Sequence, residues 1–101
     1  MAAYLVVDTD WKETPTETRA EFGRAAQPVI RDHGGAFLTP VGHRSEVLEG
    51  DWHPEILTIV EFPDAETARR MWNSPEFRAA AAIRRATEAV FKVVLVDGEV
   101  A

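Results

Sequence analysis

Few side chains in this sequence have the chemistry for catalysis, and each that does also has a structural reading. His33 closes a helical apolar pattern immediately before Gly34. Histidine changes charge near neutrality, so His33 is a candidate general acid or base at a pocket mouth. At the same place it can simply bond the last carbonyls of a helix. Asn73 and Ser74, in "WNSPEF" (Trp72 to Phe77), offer an amide and a hydroxyl to a substrate carbonyl or a bound oxygen. Ser-Pro is equally a helix N-cap followed by its first residue, and no histidine adjoins Ser74 to make it a nucleophile. Arg84 interrupts an alanine-rich run, "RAAAAIRRA" (Arg78 to Ala86). It can bind the carboxylate of an acidic ligand, or pair with Glu61 if it points toward a sheet. Trp72 and Phe22 complete the set as pocket wall or core.

A second group lies in "EGDWHPE" (Glu49 to Glu55) and just before it. His43, Asp51 and His53 offer two nitrogens and a carboxylate to a metal. Their spacing matches neither a helical His-x-x-x-His pair nor a loop signature, so no metal is expected. The economical reading is a connection between strands, with Gly50-Asp51 turning, Trp52 packed over the turn and both histidines in water. Trp52 is also a candidate pocket rim. No phosphate loop or dinucleotide fingerprint is present, and the one Gly-Gly pair follows a helix rather than opening one. No cofactor is expected.

The elements that must position these residues are legible in order. "AYLVVD" (Ala3 to Asp8) reads as a strand. "TPTE" (Thr14 to Glu17) reads as a helix start, with Thr14 as N-cap, Pro15 at the first position and Glu17 closing a capping box. Helical spacing then runs from Phe22 to His33, bent at Pro28 and stopped by Gly34-Gly35. "AFLTPV" (Ala36 to Val41) reads as a second strand with a break at Pro40, which "EVLEG" (Glu46 to Gly50) continues after an irregular piece at 42–45. "EILTIVEF" (Glu55 to Phe62) is the clearest strand. Asp64 caps a helix through Trp72, which stops and restarts at Ser74-Pro75 and runs to about Glu88. "VFKVVLVDG" (Val90 to Gly98) is the last strand. The plan is β-α-β-β-α-β: a ferredoxin-like α+β fold with two helices on one face of an antiparallel sheet, in a single domain spanning residues 1–101.

A sheet with one face in water alternates apolar and polar residues. Here both faces are apolar: Ile56, Thr58, Val60 and Phe62 oppose Leu57 and Ile59, and Phe91, Val93 and Leu95 oppose Val94 and Val96. Helices cover one face only. A second copy of the chain is the simplest cover for the other, which predicts a homodimer burying on the order of 1,600 Å².

Composition narrows the partners. With 17 acidic and 11 basic residues the net charge is −6, which argues against nucleic acid or an anionic membrane. Cysteine is absent, excluding disulfides and thiolate chemistry. No apolar run approaches transmembrane length, and the start, "MAAYLVVDTD", lacks the pattern of a secretory signal. A cytoplasmic protein is expected.

"HGGAFL", "VLEGDW", "IVEFPD" and "WNSPEF", in that order and spacing, resemble the proteins grouped as domain of unknown function 1330. The resemblance runs from Tyr4 to about Gly98 and implies a dimeric α+β barrel. It also implies a small-molecule cavity between sheet and helices. That superfamily includes cofactor-free monooxygenases, muconolactone isomerase, haem-degrading enzymes and ligand-sensing domains. The family has an aromatic pair before the Asn/Asp-Ser-Pro and a tyrosine after Pro-Glu. Here those places hold Met71-Trp72 and Phe77, so chemistry that needs those hydroxyls is not expected. The resulting expectation is a small-molecule pocket. It would belong to a cofactor-independent monooxygenase- or isomerase-like enzyme on an aromatic or carbonyl metabolite, with His33 and Asn73 catalytic and Trp72, Arg84, Ser74, Trp52 and Phe22 binding. The alternatives are a non-catalytic sensing module and a purely structural dimer.

Overall fold

Strands apolar on both faces and helices with one apolar face underlie the fold seen in a computed structural model, which describes residues 1–40 and 43–98. The elements are β1 (Ala3–Asp10), α1 (Thr16–Asp32), β2 (Ala36–Phe37), β3 (Ile56–Phe62), α2 (Ala65–Trp72), α3 (Pro75–Arg85) and β4 (Val90–Asp97). The four strands form one antiparallel sheet in the order β2-β3-β1-β4. This is the ferredoxin-like β-α-β-β-α-β topology, with α2 and α3 together in the place of the second helix.

The barrel is not formed. The sheet is open, with β2 and β4 as its two edges and no pairing between them. Four strands are too few to close at the curvature that small barrels require. One edge is also only two residues long. The expected extension of β2 does not occur either. Leu38 adds one bond to the Ile59 carbonyl at 2.9 Å, after which the Thr39 hydroxyl accepts from the Ile59 amide at 3.3 Å. Pro40 has no donor to continue the ladder. Val47 and Leu48 rejoin no strand, and Leu48 is 88% exposed. Val41 and Gly42, placed by sequence in the strand and the irregular piece after it, lie outside the described residues.

The local signals at α2 and α3 act as expected. The Asp64 carboxylate accepts from the Thr67 amide at 2.7 Å. The Ser74 hydroxyl accepts from the Phe77 amide at 3.2 Å and donates to the Met71 carbonyl at 2.7 Å, so one buried side chain ends α2 and starts α3. The start of α1 departs from the capping box. Pro15 holds the N-cap position, and no side chain caps the helix. Thr14 is instead drawn into a turn, its amide bonded to the Trp11 carbonyl and its carbonyl accepting from Arg19 Nε at 2.9 Å. Its hydroxyl is buried without a partner. At the other end of α1 the chain turns through Gly34, at φ +91°. Gly35 then passes so close to Ile30 and Phe62 that a Cβ there would sit 2.6 Å from Ile30 Cγ2. α3 ends at Arg85, earlier than the sequence suggests, because the Thr87 hydroxyl donates to the Arg84 carbonyl at 2.6 Å and accepts from the Ala89 amide.

Register sets what each sheet face carries. Toward the helices lie Val60, Leu5 and Leu95 in one row, Thr58, Val7 and Val93 in the next, and Ile56, Thr9 and Phe91 in the third. The opposite face carries Glu61, Tyr4 and Val96, then Ile59, Val6 and Val94, then Leu57, Asp8 and Lys92. Val94 is 60% and Val96 46% exposed, since no helix covers that face. The helices divide their packing. α2 lies on β1, β3 and β4, burying Ala68 and Met71. α1 makes its main contact with α3 instead. Phe62 and Met71 are the largest fully buried side chains.

Candidate ligand cavity

Because α1 leans on α3 rather than on the sheet, a space of about 390 Å³ remains beneath it, within the range of small-molecule sites. Its floor is the helix-facing side of the sheet, including Val7, Thr9, Thr58 and Val93; α1 supplies Phe22, Ala26 and Ile30, and the α2–α3 pair supplies Met71, Trp72, Phe77 and Arg84. Trp11, Phe22 and Phe91 meet edge to face at one end, with centroids 5.1–5.9 Å apart. Arg19, Ala20, Gly23 and Gln27 line both this cavity and a shallow depression on the outer surface. The space therefore meets solvent along that face of α1.

Arg84 is the charged group at the heart of the site. It is only 8% exposed, and its guanidinium lies 4.3 Å from the Phe91 ring centroid and 5.8 Å from that of Phe22. Its Nε is buried with no hydrogen-bond partner, and it makes no ion pair among the described residues. The pairing with Glu61 fails for a reason of register: Glu61 alternates onto the opposite sheet face, next to Tyr4. Burial, then the neighbouring Arg85 and Arg78, lowers the Arg84 pKa to about 10. Arg78 is shifted the same way, by burial and then by Arg85. It stacks on Trp72 at 4.9 Å. Arg19, the other arginine of the cavity, is engaged elsewhere: Nε donates to the Thr14 carbonyl and Nη2 reaches the Lys12 carbonyl at 3.5 Å.

The structure brings together three of the residues named from sequence, Phe22, Trp72 and Arg84. The others stand apart. His33 caps α1, and its Nδ1–H donates to the Val29 carbonyl at 2.8 Å. Asn73 is the exposed C-cap of α2. Ser74 is the buried cap described above. Trp52 lies on the opposite side of the sheet, where its indole N–H donates to Asp8 at 2.8 Å. With Asp51 and His53 it borders a polar depression there. His43 is held between the Pro40 carbonyl, to which Nδ1–H donates at 2.8 Å, and the Leu57 amide, which donates to Nε2 at 3.1 Å. Among the described residues no cluster of histidine and carboxylate side chains is arranged to hold a metal ion.

Trp11, Thr9, Thr58 and Phe91 are cavity residues that the sequence reading did not single out. Thr9 and Thr58 carried a usable signal, since a polar residue on the helix-facing side of an apolar strand implies a lined space.

Comparison with known structures places this geometry. The RPA0582 protein from Rhodopseudomonas palustris is similar at 21% identity and TM-score 0.69, over 99% of this chain and 84% of that one. SnoaB from Streptomyces nogalater, a cofactor-independent oxygenase, is similar at 20% identity and TM-score 0.65, over 99% and 95%. A dimeric ferredoxin-like protein from Thermobifida fusca YX follows at 18% identity and TM-score 0.63, over 96% and 91%. At such identities the likeness is one of fold. No curated protein matches the sequence. No helix among the described residues is long and apolar enough to cross a membrane. The family model for the domain of unknown function DUF1330 matches residues 2–99, and the chain belongs to that family.

Proposed function

We propose that the chain binds a small planar molecule, aromatic or carbonyl-bearing, in the cavity beneath α1. The observation that carries this reading is the cavity itself: a ring-lined space of ligand size inside a domain of 101 residues, where close packing is the rule. The shared fold with SnoaB supports a reading in which the bound molecule is also transformed without a cofactor. The cavity supplies the surroundings for such chemistry in Trp72, Thr9, Thr58 and Arg84. Recovery of the bound molecule unchanged after incubation in air would leave a binding or sensing role.

Gly23 provides the test. A Cβ built there meets only the flexible end of Gln27, at 3.5 Å, and Gly23 borders both the cavity and the outer surface, so a side chain there narrows the opening. Gly23→Leu is expected to weaken binding of a 2-naphthol probe at least tenfold, read from the quenching of tryptophan fluorescence. Folding stability should hold or rise, since glycine inside a helix is unfavourable. Unchanged affinity in that variant would count against the cavity as the binding site.

We also propose that a second copy covers the outer sheet face. The support is the exposed apolar strip of Val94, Val96 and Leu38 and the dimeric state of the ferredoxin-like protein from Thermobifida fusca YX. Val94→Lys would put an ammonium into such an interface. Sedimentation should find a wild-type dimer at micromolar concentration and a monomeric variant. A monomeric wild type would refute the proposal.

A further inference from the structure

The chain is acidic, with 17 carboxylate side chains against 11 basic ones. Yet the cavity lining contains two arginines and no aspartate or glutamate. Surfaces of one sign can arise by chance, but a buried cation is different. Taking a guanidinium out of water is costly unless its donors are met. Arg19 meets that condition, with its donors on the Thr14 and Lys12 carbonyls. Arg84 does not.

The surroundings of Arg84 sharpen the point. On its own helix the nearby charges are Arg78 and Arg85, both of its own sign. From the sheet, Thr9, Thr58 and Phe91 face the cavity, none of them ionised. From α1 the polar lining groups are Thr16, Arg19 and Gln27, and none of them is a carboxylate. Phe91 and Phe22 stack with the guanidinium, which satisfies a ring face but no N–H. The buried Nε is left without a protein acceptor, and it belongs to the side-on edge of the guanidinium, the edge that grips a carboxylate with two parallel bonds.

We infer that the ligand of this cavity is an anion, a planar aromatic carboxylate whose oxygens bond the side-on edge of Arg84 while its ring lies among Phe22, Phe91 and Trp72. This rests on the cavity being the binding site and adds the charge and orientation of what enters it. The apolar remainder of the lining selects against small hydrophilic anions, which gain nothing from it.

A matched pair of probes tests the inference, 2-naphthoate and 2-naphthamide, which differ in charge and little in shape. Titration calorimetry at pH 7.5 should find the carboxylate at least tenfold tighter on the wild type. Arg84→Met should bring the two to equal affinity, and Arg84→Lys should keep a reduced preference, with circular dichroism confirming that both variants are folded. Backbone amide shifts at Phe22, Phe91 and Val93 should place both probes under α1. Equal affinities on the wild type, with those shifts present, would overturn the charge inference and leave the cavity reading standing. A carboxylate preference that survives in Arg84→Met would overturn the assignment to Arg84. Binding of neither probe would refute both readings.

Discussion

Phe62→Ala is expected to cost about 3–5 kcal/mol of folding stability, the range for removing a fully buried ring from a core that cannot collapse around the gap. The ring lies at the end of β3, 1% exposed, opposite Ala3 on β1. It is pinned from the side by Gly35, whose position would bring a Cβ to 3.0 Å from the ring edge. Two features make the site unforgiving. Phe62 and Met71 are the largest side chains buried to this degree, and much of the space on the same sheet face is cavity rather than packing. The dry core is therefore small, and one ring is a large share of it. A typical domain holds only about 5–15 kcal/mol in total, so the variant should lose a large share of its stability and unfold at a markedly lower urea concentration. Urea denaturation followed by tryptophan fluorescence measures the change. A loss below about 1 kcal/mol would mean that the core lies elsewhere.

Arg84→Met is expected to act in the opposite direction, raising stability by about 1–2 kcal/mol in the absence of ligand. Methionine keeps the apolar stem and its packing and removes the desolvated charge, which costs several kcal/mol when unpaired. The stacking lost with Phe91 and Phe22 offsets part of the gain, about 1–2 kcal/mol. The pH dependence has a definite sign. The Arg84 pKa is lowered to about 10 in the folded chain, so between that value and its ordinary, higher one the unfolded chain binds the extra proton. Stability attributable to this group therefore rises with pH across that window, and its penalty is fully present below about pH 10. The advantage of Arg84→Met should accordingly be largest near neutrality and shrink above pH 10. Paired urea titrations at pH 8 and pH 11 check this. A variant less stable than wild type at pH 8 would show that the guanidinium is well solvated or partnered in solution.

Such an inversion, in which the residue proposed to bind ligand weakens the empty protein, was only half visible in the sequence. Arg84 stood out as a charge on an alanine-rich face, but the length of its environment's reach was not. Glu61 looked available because linear proximity to a strand end says nothing of which face a side chain takes, although the alternation of β3 already placed it away from the helices. Signals that depend on three or four adjacent residues were legible: Asp64 and Ser74 cap their helices because the bond spans one turn. Thr14 failed as a cap because a distant competitor, Arg19, fixed the turn before it. The barrel failed similarly. Apolar strand faces say that a sheet must be covered, and nothing in them fixes whether its edges join; that depends on how far β2 extends, which Pro40 and its neighbours cut to two residues. His33 and Asn73 were chosen by chemical type, and both lie at helix ends, where such types also serve the backbone. The cavity is expected from the family resemblance and hinted at by Thr9 and Thr58, but its place and size arise from the leaning of α1 on α3, a tertiary preference with no local code.

That leaning also bears on how proteins of this shape diversify. α2 is welded to the sheet, so changes at Ala68 or Met71 strike the fold itself. α1 touches the rest chiefly through α3, and Ala20, Gly23 and Gln27 on its cavity side lie outside the hydrophobic core. Inherited variation can therefore accumulate at those three positions and retune what the protein recognises, while α2 keeps the lineage foldable. The two roles overlap at Ala26, Met71 and Phe77, which line the cavity and belong to the core alike, so selection is free to act on recognition alone only at the outer positions of α1.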